Sequence, residues 1–297
     1  MPVRRSVRLD YIELTKPRIT FMVTLICLVG FVMASPDGLH LPTLAATLVG
    51  TALVSAGSAA FNMLLERRTD GLMQRTRGRP LPAGRLRPIE ALAFGTLLTV
   101  AGLAVLSFGA NALAAAVAFI TWFSYLLLYT PLKTRTSLAT LVGAVPGALP
   151  PVIGWAAARG ALEPGAFILF AILFLWQIPH FLAIAWIFRD DYARGGLPML
   201  PVVDPAGRMT GRQALANALA LLLVSLAPTA AGMTGWAYAV GAALLGAAYA
   251  LAAARAAATR STLAARRLFL VSILYLPGLS ALMILDRAGG PLSRIGG

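Results

Sequence analysis

Nine stretches of this 297-residue chain are apolar enough, and long enough, to cross a bilayer as helices. A helical crossing takes about 20 mostly apolar residues. The nine stretches are 19–35, 42–65, 89–108, 111–130, 138–157, 165–187, 213–232, 235–254 and 268–286. Between them lie turn and stop signals: Pro36-Asp37-Gly38, the run from Glu66 to Pro88, Gly109-Ala110-Asn111 and Arg159-Gly160. Small residues such as Gly241, Gly246, Ala248 and Ala252 lie within the spans, where they let neighbouring helices approach closely. The sequence therefore predicts an all-α polytopic membrane protein forming one domain. Residues 1–18 are expected to be a tail, 19–286 the spans and 287–297 a second tail. Composition closes the other routes. Apolar residues make up 59% and charged residues 12%, against roughly 45–50% and 25% in soluble domains. A soluble enzyme, a disordered chain, a collagen-like rod and a nucleic-acid binder are all excluded.

The basic residues orient the bundle. With nine spans, 22 of the 25 Lys and Arg residues fall on the side of the N-terminus, leaving Arg159, Arg287 and Arg294 on the other. By the positive-inside rule the N-terminus is cytoplasmic and the C-terminus outside, as expected for a multi-pass inner-membrane protein. The first apolar stretch has no small-residue cleavage signal at Met33–Asp37, so it reads as a retained span. The lone cysteine, Cys27, lies within it and forms no intrachain disulfide.

Acids are scarce, 11 in all, and two pairs of them stand just past apolar spans on the cytoplasmic side. Asn62, Glu66 and Asp70 are spaced by four, which puts all three on one helix face. Such a row suits Mg²⁺, which takes one or two carboxylates and completes its shell with water and substrate phosphates. Arg67, Arg68, Arg75, Arg77 and Arg79 follow, ready to pair with the same phosphates. Alternatively, the row is a polar helix end and the arginines serve topology alone. Asp190 and Asp191 form the second pair. Adjacent residues on a helix point about 100° apart, so one faces a site and the other water. Together the pairs indicate a membrane enzyme handling a phosphorylated, lipidic substrate.

The stretch Asn62-Met-Leu-Leu-Glu66-Arg-Arg-Thr-Asp70 closely resembles the first motif of the UbiA-type intramembrane prenyltransferases. Its continuation, Met73-x-Arg75-Thr76-x-x-Arg79-Pro80-Leu81-Pro82, is similar to the heme O synthase branch of that superfamily. Tyr129-Thr-Pro-Leu-Lys133-Thr-Arg135, Gly147-Ala-Leu-Pro150-Pro151, Trp176-Gln177-x-Pro179-His180-Phe181 and Arg189-Asp190-Asp191-Tyr192 agree in the same order. The resemblance implies nine helices around a central cavity open to lipid. It also implies transfer of farnesyl from farnesyl diphosphate to a vinyl carbon of heme b, with addition of water, giving heme O and diphosphate. It places Asn62, Glu66 and Asp70 on one Mg²⁺ and Asp190 with Asp191 on a second. Lys133, Arg75, Arg79 and Arg135 become diphosphate contacts, and the partners implied are the bilayer, heme A synthase or a terminal oxidase.

Tyr125, Tyr129 and Trp176 are candidates to shield a carbocation with their ring faces, or are packing aromatics. His180, the one histidine within a span, is a candidate heme contact and axial ligand, or a buried histidine bonded to backbone near Pro179. Two positions depart from the superfamily pattern: Glu66 stands where aspartate is usual, and Arg194 where the second motif has its second acid. Competing readings are a quinone- or chlorophyll-precursor prenyltransferase, a secondary transporter and a non-catalytic oxidase assembly factor.

Overall fold

The computed structural model describes residues 6–287. Arg4, Arg5, Arg294 and the tail from 288 onward lie outside the described residues. The elements are α1 (Val7–Leu14), α2 (Pro17–Met33), α3 (Leu41–Leu72), α4 (Pro88–Gly109), α5 (Ala112–Phe123), a π-helical turn (Ser124–Tyr129), α6 (Thr130–Leu132), α7 (Ala139–Ala148), α8 (Pro150–Arg159), α9 (Pro164–Ile187), α10 (Arg189–Arg194), α11 (Leu200–Val203), α12 (Arg208–Val224), α13 (Ala227–Ala230), α14 (Trp236–Thr259) and α15 (Thr262–Leu285). Among the described residues these give nine segments of membrane-crossing length and hydropathy. The protein is a multi-pass, all-helical membrane protein.

The helices close on themselves. Neighbours run α2–α3–α4–α5, then α7 and α8, then α9, α12, α14 and α15, which returns to α2. Where helices cross tightly, glycine removes the side chain that would keep them apart. A Cβ on Gly30 would strike the Pro151 carbonyl, and one on Gly154 would strike that of Cys27, so α2 and α8 touch backbone to backbone. In the membrane such close packing substitutes for the hydrophobic drive that water provides.

Helix ends differ from the apolar boundaries where polar residues continue a helix beyond the hydrocarbon. α3 runs to Leu72, carrying Glu66 and Asp70, and α15 starts at Thr262 with Arg266 and Arg267 in its early turns. The seventh span breaks after Val224 and resumes at Ala227. Within the tail expected over 1–18, residues 7–14 form a helix. Leu14 is fully buried beside Ala60, Met63, Leu81 and Leu86, and Tyr11 meets Phe94 edge-on at 5.0 Å. Asp10 of α1 accepts a 2.9 Å ion pair from Arg85, tying the N-terminal helix to the loop after α3. Leu9 and Ile12 stay exposed, which suits a helix lying at the membrane surface.

Candidate active site

Asn62, Glu66 and Asp70 are all buried on α3, one turn apart, as their spacing requires. The structure surrounds them with cations from three other segments. Lys133, just past α6, donates to Glu66 Oε1 at 3.0 Å. Arg79, from the loop after α3, donates to Asp70 Oδ2 at 2.6 Å. Lys16, at the start of α2, donates to Asn62 Oδ1 at 2.7 Å. Lys16 is coupled to Arg79, Lys133, Glu66 and Asp70, so the five charges form one electrostatic neighbourhood. Three cations face two carboxylates, and the surplus positive charge favours an anionic ligand.

Several backbone features place these groups. Lys16 adopts the left-handed region (φ 46°), uncommon for a residue with a side chain, as the chain turns from α1 into Pro17. Backbone strain of this kind clusters at functional sites. The π-helical turn adds a residue to the helix round before α6. It presents Tyr125 and Tyr129 as a stacked pair, centroids 5.6 Å apart, one turn before Lys133. Thr130, immediately after, lies 3.4 Å from the Asn62 amide.

The two acidic regions meet. Asp191 Oδ1 accepts from the Gln74 backbone N–H at 2.8 Å and from Arg194 at 2.7 Å, and Oδ2 from the Arg75 N–H at 3.3 Å. The loop after α9 is thereby clamped onto the end of α3. Burial raises the Asp191 pKa, but the Arg194 and backbone hydrogen bonds outweigh it and hold the carboxyl below its usual range. The clamp is therefore fully in force above the ordinary aspartate pKa of about 3.9 and is lost as the pH falls through the lowered value. Burial also disfavours charge on Lys133, but Tyr129, Glu66 and Tyr192 together raise its pKa above the usual lysine range. Arg75 stacks on Phe188 and Tyr192 at 5.0 and 5.7 Å, and its guanidinium donates to the Tyr192 hydroxyl at 3.3 Å.

The structure separates Asp190 from Asp191. The Asp190 side chain is 85% exposed beside Arg189, whereas Asp191, about 100° round α10, is buried. Asp190 is thus not brought to the cluster, and Asp191 enters it as a clamp whose two oxygens already have partners. Arg135 is exposed and carries no ion pair among the described residues. Sequence reasoning missed Lys16 as a site residue, counting it only as a topological charge. The Lys16-Pro17 step beside a span was the available signal.

A second polar group lies on α9, toward α15. Trp176 donates from its indole N–H to the Ser272 carbonyl at 2.9 Å and stacks on His180, centroids 5.0 Å apart. His180 Nδ1 lies 2.7 Å from Ser272 Oγ, and that hydroxyl donates to the Phe269 carbonyl at 2.6 Å. A hydroxyl has one hydrogen, so Nδ1 carries the proton of the His180–Ser272 bond. The neutral ring then keeps its lone pair on Nε2, which makes no hydrogen bond among the described residues. His180 is thus bonded to a side chain of another helix, not to backbone near Pro179.

No group of three or more His, Cys, Asp or Glu side chains able to hold a metal occurs among the described residues. Two carboxylates suffice for Mg²⁺ when substrate phosphates complete the shell. Asp70 Oδ1 is buried without a hydrogen-bond partner, an open acceptor of the kind a cation would fill. The donor set fits one Mg²⁺ on α3 better than a pair of ions.

A family model described as the UbiA prenyltransferase family matches residues 23–274. The chain belongs to this family. Among its relatives, the protoheme IX farnesyltransferase of Solibacter usitatus is 49% identical, over 94% of this chain and 99% of that protein. The protoheme IX farnesyltransferase of Salinibacter ruber is 45% identical, over 93% and 98%. Solved structures share the fold at low identity. A digeranylgeranylglyceryl phosphate synthase superposes with a TM-score of 0.79 at 18% identity, covering 94% of this chain and 98% of that one. A UbiA homologue from Archaeoglobus fulgidus bound to DMAPP and Mg²⁺ does so with 0.65 at 15%, covering 92% and 99%.

Proposed function

We propose that this prenyltransferase transfers the farnesyl group of farnesyl diphosphate to a vinyl carbon of heme b, giving heme O and diphosphate. The observation that carries the reading is the buried Glu66–Asp70 pair, ringed by Lys16, Lys133 and Arg79, with Asp70 Oδ1 left open. The near-full-length protoheme IX farnesyltransferase relatives support heme as acceptor.

In the reaction the farnesyl C1–O bond breaks and the diphosphate leaves with the electron pair. The vinyl group attacks C1, and water adds to the adjoining carbon with loss of a proton. Mg²⁺ held by Asn62, Glu66 and Asp70 would supply charge neutralisation for the leaving diphosphate. Lys16, Lys133, Arg79 and Arg75 add donors where that negative charge develops. The stacked faces of Tyr125 and Tyr129 shield the allylic cation from water. His180 offers Nε2 to the heme iron and Trp176 stacks alongside. Asp191 ties the start of the loop bearing Arg75 and Arg79 to α10. In this reading Asp190 and Arg135 stand outside the reaction. The basic-residue asymmetry supports a cytoplasmic active site in an inner membrane, with product passing to heme A synthase or a terminal oxidase.

The test is incubation of purified protein with heme b, farnesyl diphosphate and Mg²⁺, followed by mass analysis of the heme. A farnesylated, hydrated heme is expected. Its absence, with prenylation of a quinone or chlorophyll precursor instead, would replace the acceptor. A further expectation concerns Lys16. A hydrogen bond to a charged group contributes roughly 1.5–3 kcal/mol, so Lys16→Ala should lower kcat/KM for farnesyl diphosphate by about ten- to a hundredfold. Heme binding, followed by absorbance, should not change.

A further inference from the structure

Arg208 and Arg212 lie one turn apart on α12, and Arg260 ends α14. With Leu215 and Ala257 they line a cavity of about 310 Å³, at the lower end of small-molecule pockets, roughly 300–1,000 Å³. We propose that this pocket binds the headgroup of an anionic glycerophospholipid, separately from the active site.

Charge is the first argument. All three arginines are exposed, and none has a carboxylate within ion-pair distance among the described residues. The nearby acid in sequence, Asp204, is not among the residues lining the pocket and accepts from the Thr210 N–H and hydroxyl at 2.8 and 3.0 Å. A pocket with three guanidinium groups and no acid is built for an anion, and planar guanidinium forks match phosphate oxygens.

Construction is the second argument. Arg260 occupies the left-handed region (φ 49°), strained for a residue with a side chain, where glycine would fit freely. Its Nε donates to the Ala257 carbonyl at 3.3 Å, which orients the guanidinium. Gly207, at φ 70°, packs against Trp186 and beside Arg260, holding the two loops together.

Place is the third. The pocket lies between two membrane-crossing helices at the end of the bundle that bears the active-site loops. Beside it a narrow apolar crevice of about 30 Å³, lined by Leu182, Trp186, Ala214 and Leu268, shares Arg260 as a wall. The basic pocket matches a phospholipid headgroup, whose phosphodiester sits at the level of the helix ends. Basic pockets between membrane helices are established headgroup sites.

The experiment uses the purified full chain stripped of lipid. Thermal midpoint and native mass spectrometry are read with phosphatidylglycerol, phosphatidylcholine or inorganic phosphate added. Phosphatidylglycerol should raise the midpoint and give a bound adduct; phosphatidylcholine and inorganic phosphate should do neither. Arg208→Gln/Arg212→Gln and, separately, Arg260→Gly should weaken phosphatidylglycerol binding about tenfold or more. Arg260→Gly relieves the positive φ, so its lipid-free midpoint should not fall. Arg255→Gln/Arg266→Gln, nearby but outside the pocket, should bind as the wild type does. Undiminished binding by the pocket variants overturns the proposal, as does equal loss in the control pair. A full shift with inorganic phosphate alone would make this a free-anion site and overturn the lipid assignment.

Discussion

Asp70→Asn should abolish heme farnesylation while leaving the protein folded and inserted. The two side chains are nearly isosteric, so packing on α3 is kept. What is lost is the charge that Arg79 meets at 2.6 Å and the open, buried Oδ1 beside it. With Asp70 neutral, Lys16, Lys133 and Arg79 face Glu66 alone, and a divalent cation is repelled from the site instead of held there. A metal stabilises transition-state charge by several kcal/mol, so turnover should fall roughly a thousandfold, at 1.36 kcal/mol per factor of ten. The internal control is Asp190→Asn. Its carboxylate is 85% exposed, and exposed ion pairs contribute about 1 kcal/mol or less, so activity should stay within about fivefold of wild type. Mass-resolved product counts with purified variants decide it. Near-normal product from Asp70→Asn would remove the metal role from this carboxylate.

The nine crossings were legible because a bilayer imposes a length that the chain must meet, and each apolar run declares itself without reference to its neighbours. The α3 row was legible for a similar reason: a spacing of four is a local geometric fact, and Asn62, Glu66 and Asp70 face one way however the bundle packs. Lys16 was not. Its role depends on a left-handed turn before Pro17 that aims the side chain at a residue 46 positions away. The Asp191 clamp is longer-range still, joining positions 117 apart through backbone N–H groups that any residue could supply. For the second acidic pair, the sequence set the two carboxylates apart but could not say which faces inward. The π-helical turn leaves no mark in composition, yet it aims Tyr125 and Tyr129. Local periodicity thus showed which residues share a helix face, and tertiary packing chose their partners.

His180→Ala should remove tight heme binding, and with it most heme O formation, while farnesyl diphosphate binding is retained. The argument rests on the tautomer. Because the Ser272 hydroxyl gives its hydrogen to the Phe269 carbonyl, the imidazole must donate from Nδ1, and Nε2 keeps the lone pair that a heme iron would take. Stacking on Trp176 and the approach of Phe269, centroids at 5.0 and 5.1 Å, hold the ring plane. Ser272 is then a positioning residue, acting through His180. Loss of a hydrogen bond that orients a metal-binding histidine typically costs about ten- to a hundredfold in affinity. Ser272→Ala should weaken heme binding by that factor, and Ser272→Thr, which keeps the hydroxyl, should restore it. Absorbance separates this from a packing role: an imidazole-ligated heme spectrum should be seen in wild type and Ser272→Thr, weakened in Ser272→Ala and missing in His180→Ala. A wild-type heme spectrum in His180→Ala would exclude the histidine as an iron ligand, and normal product formation by that variant would remove it from the reaction altogether.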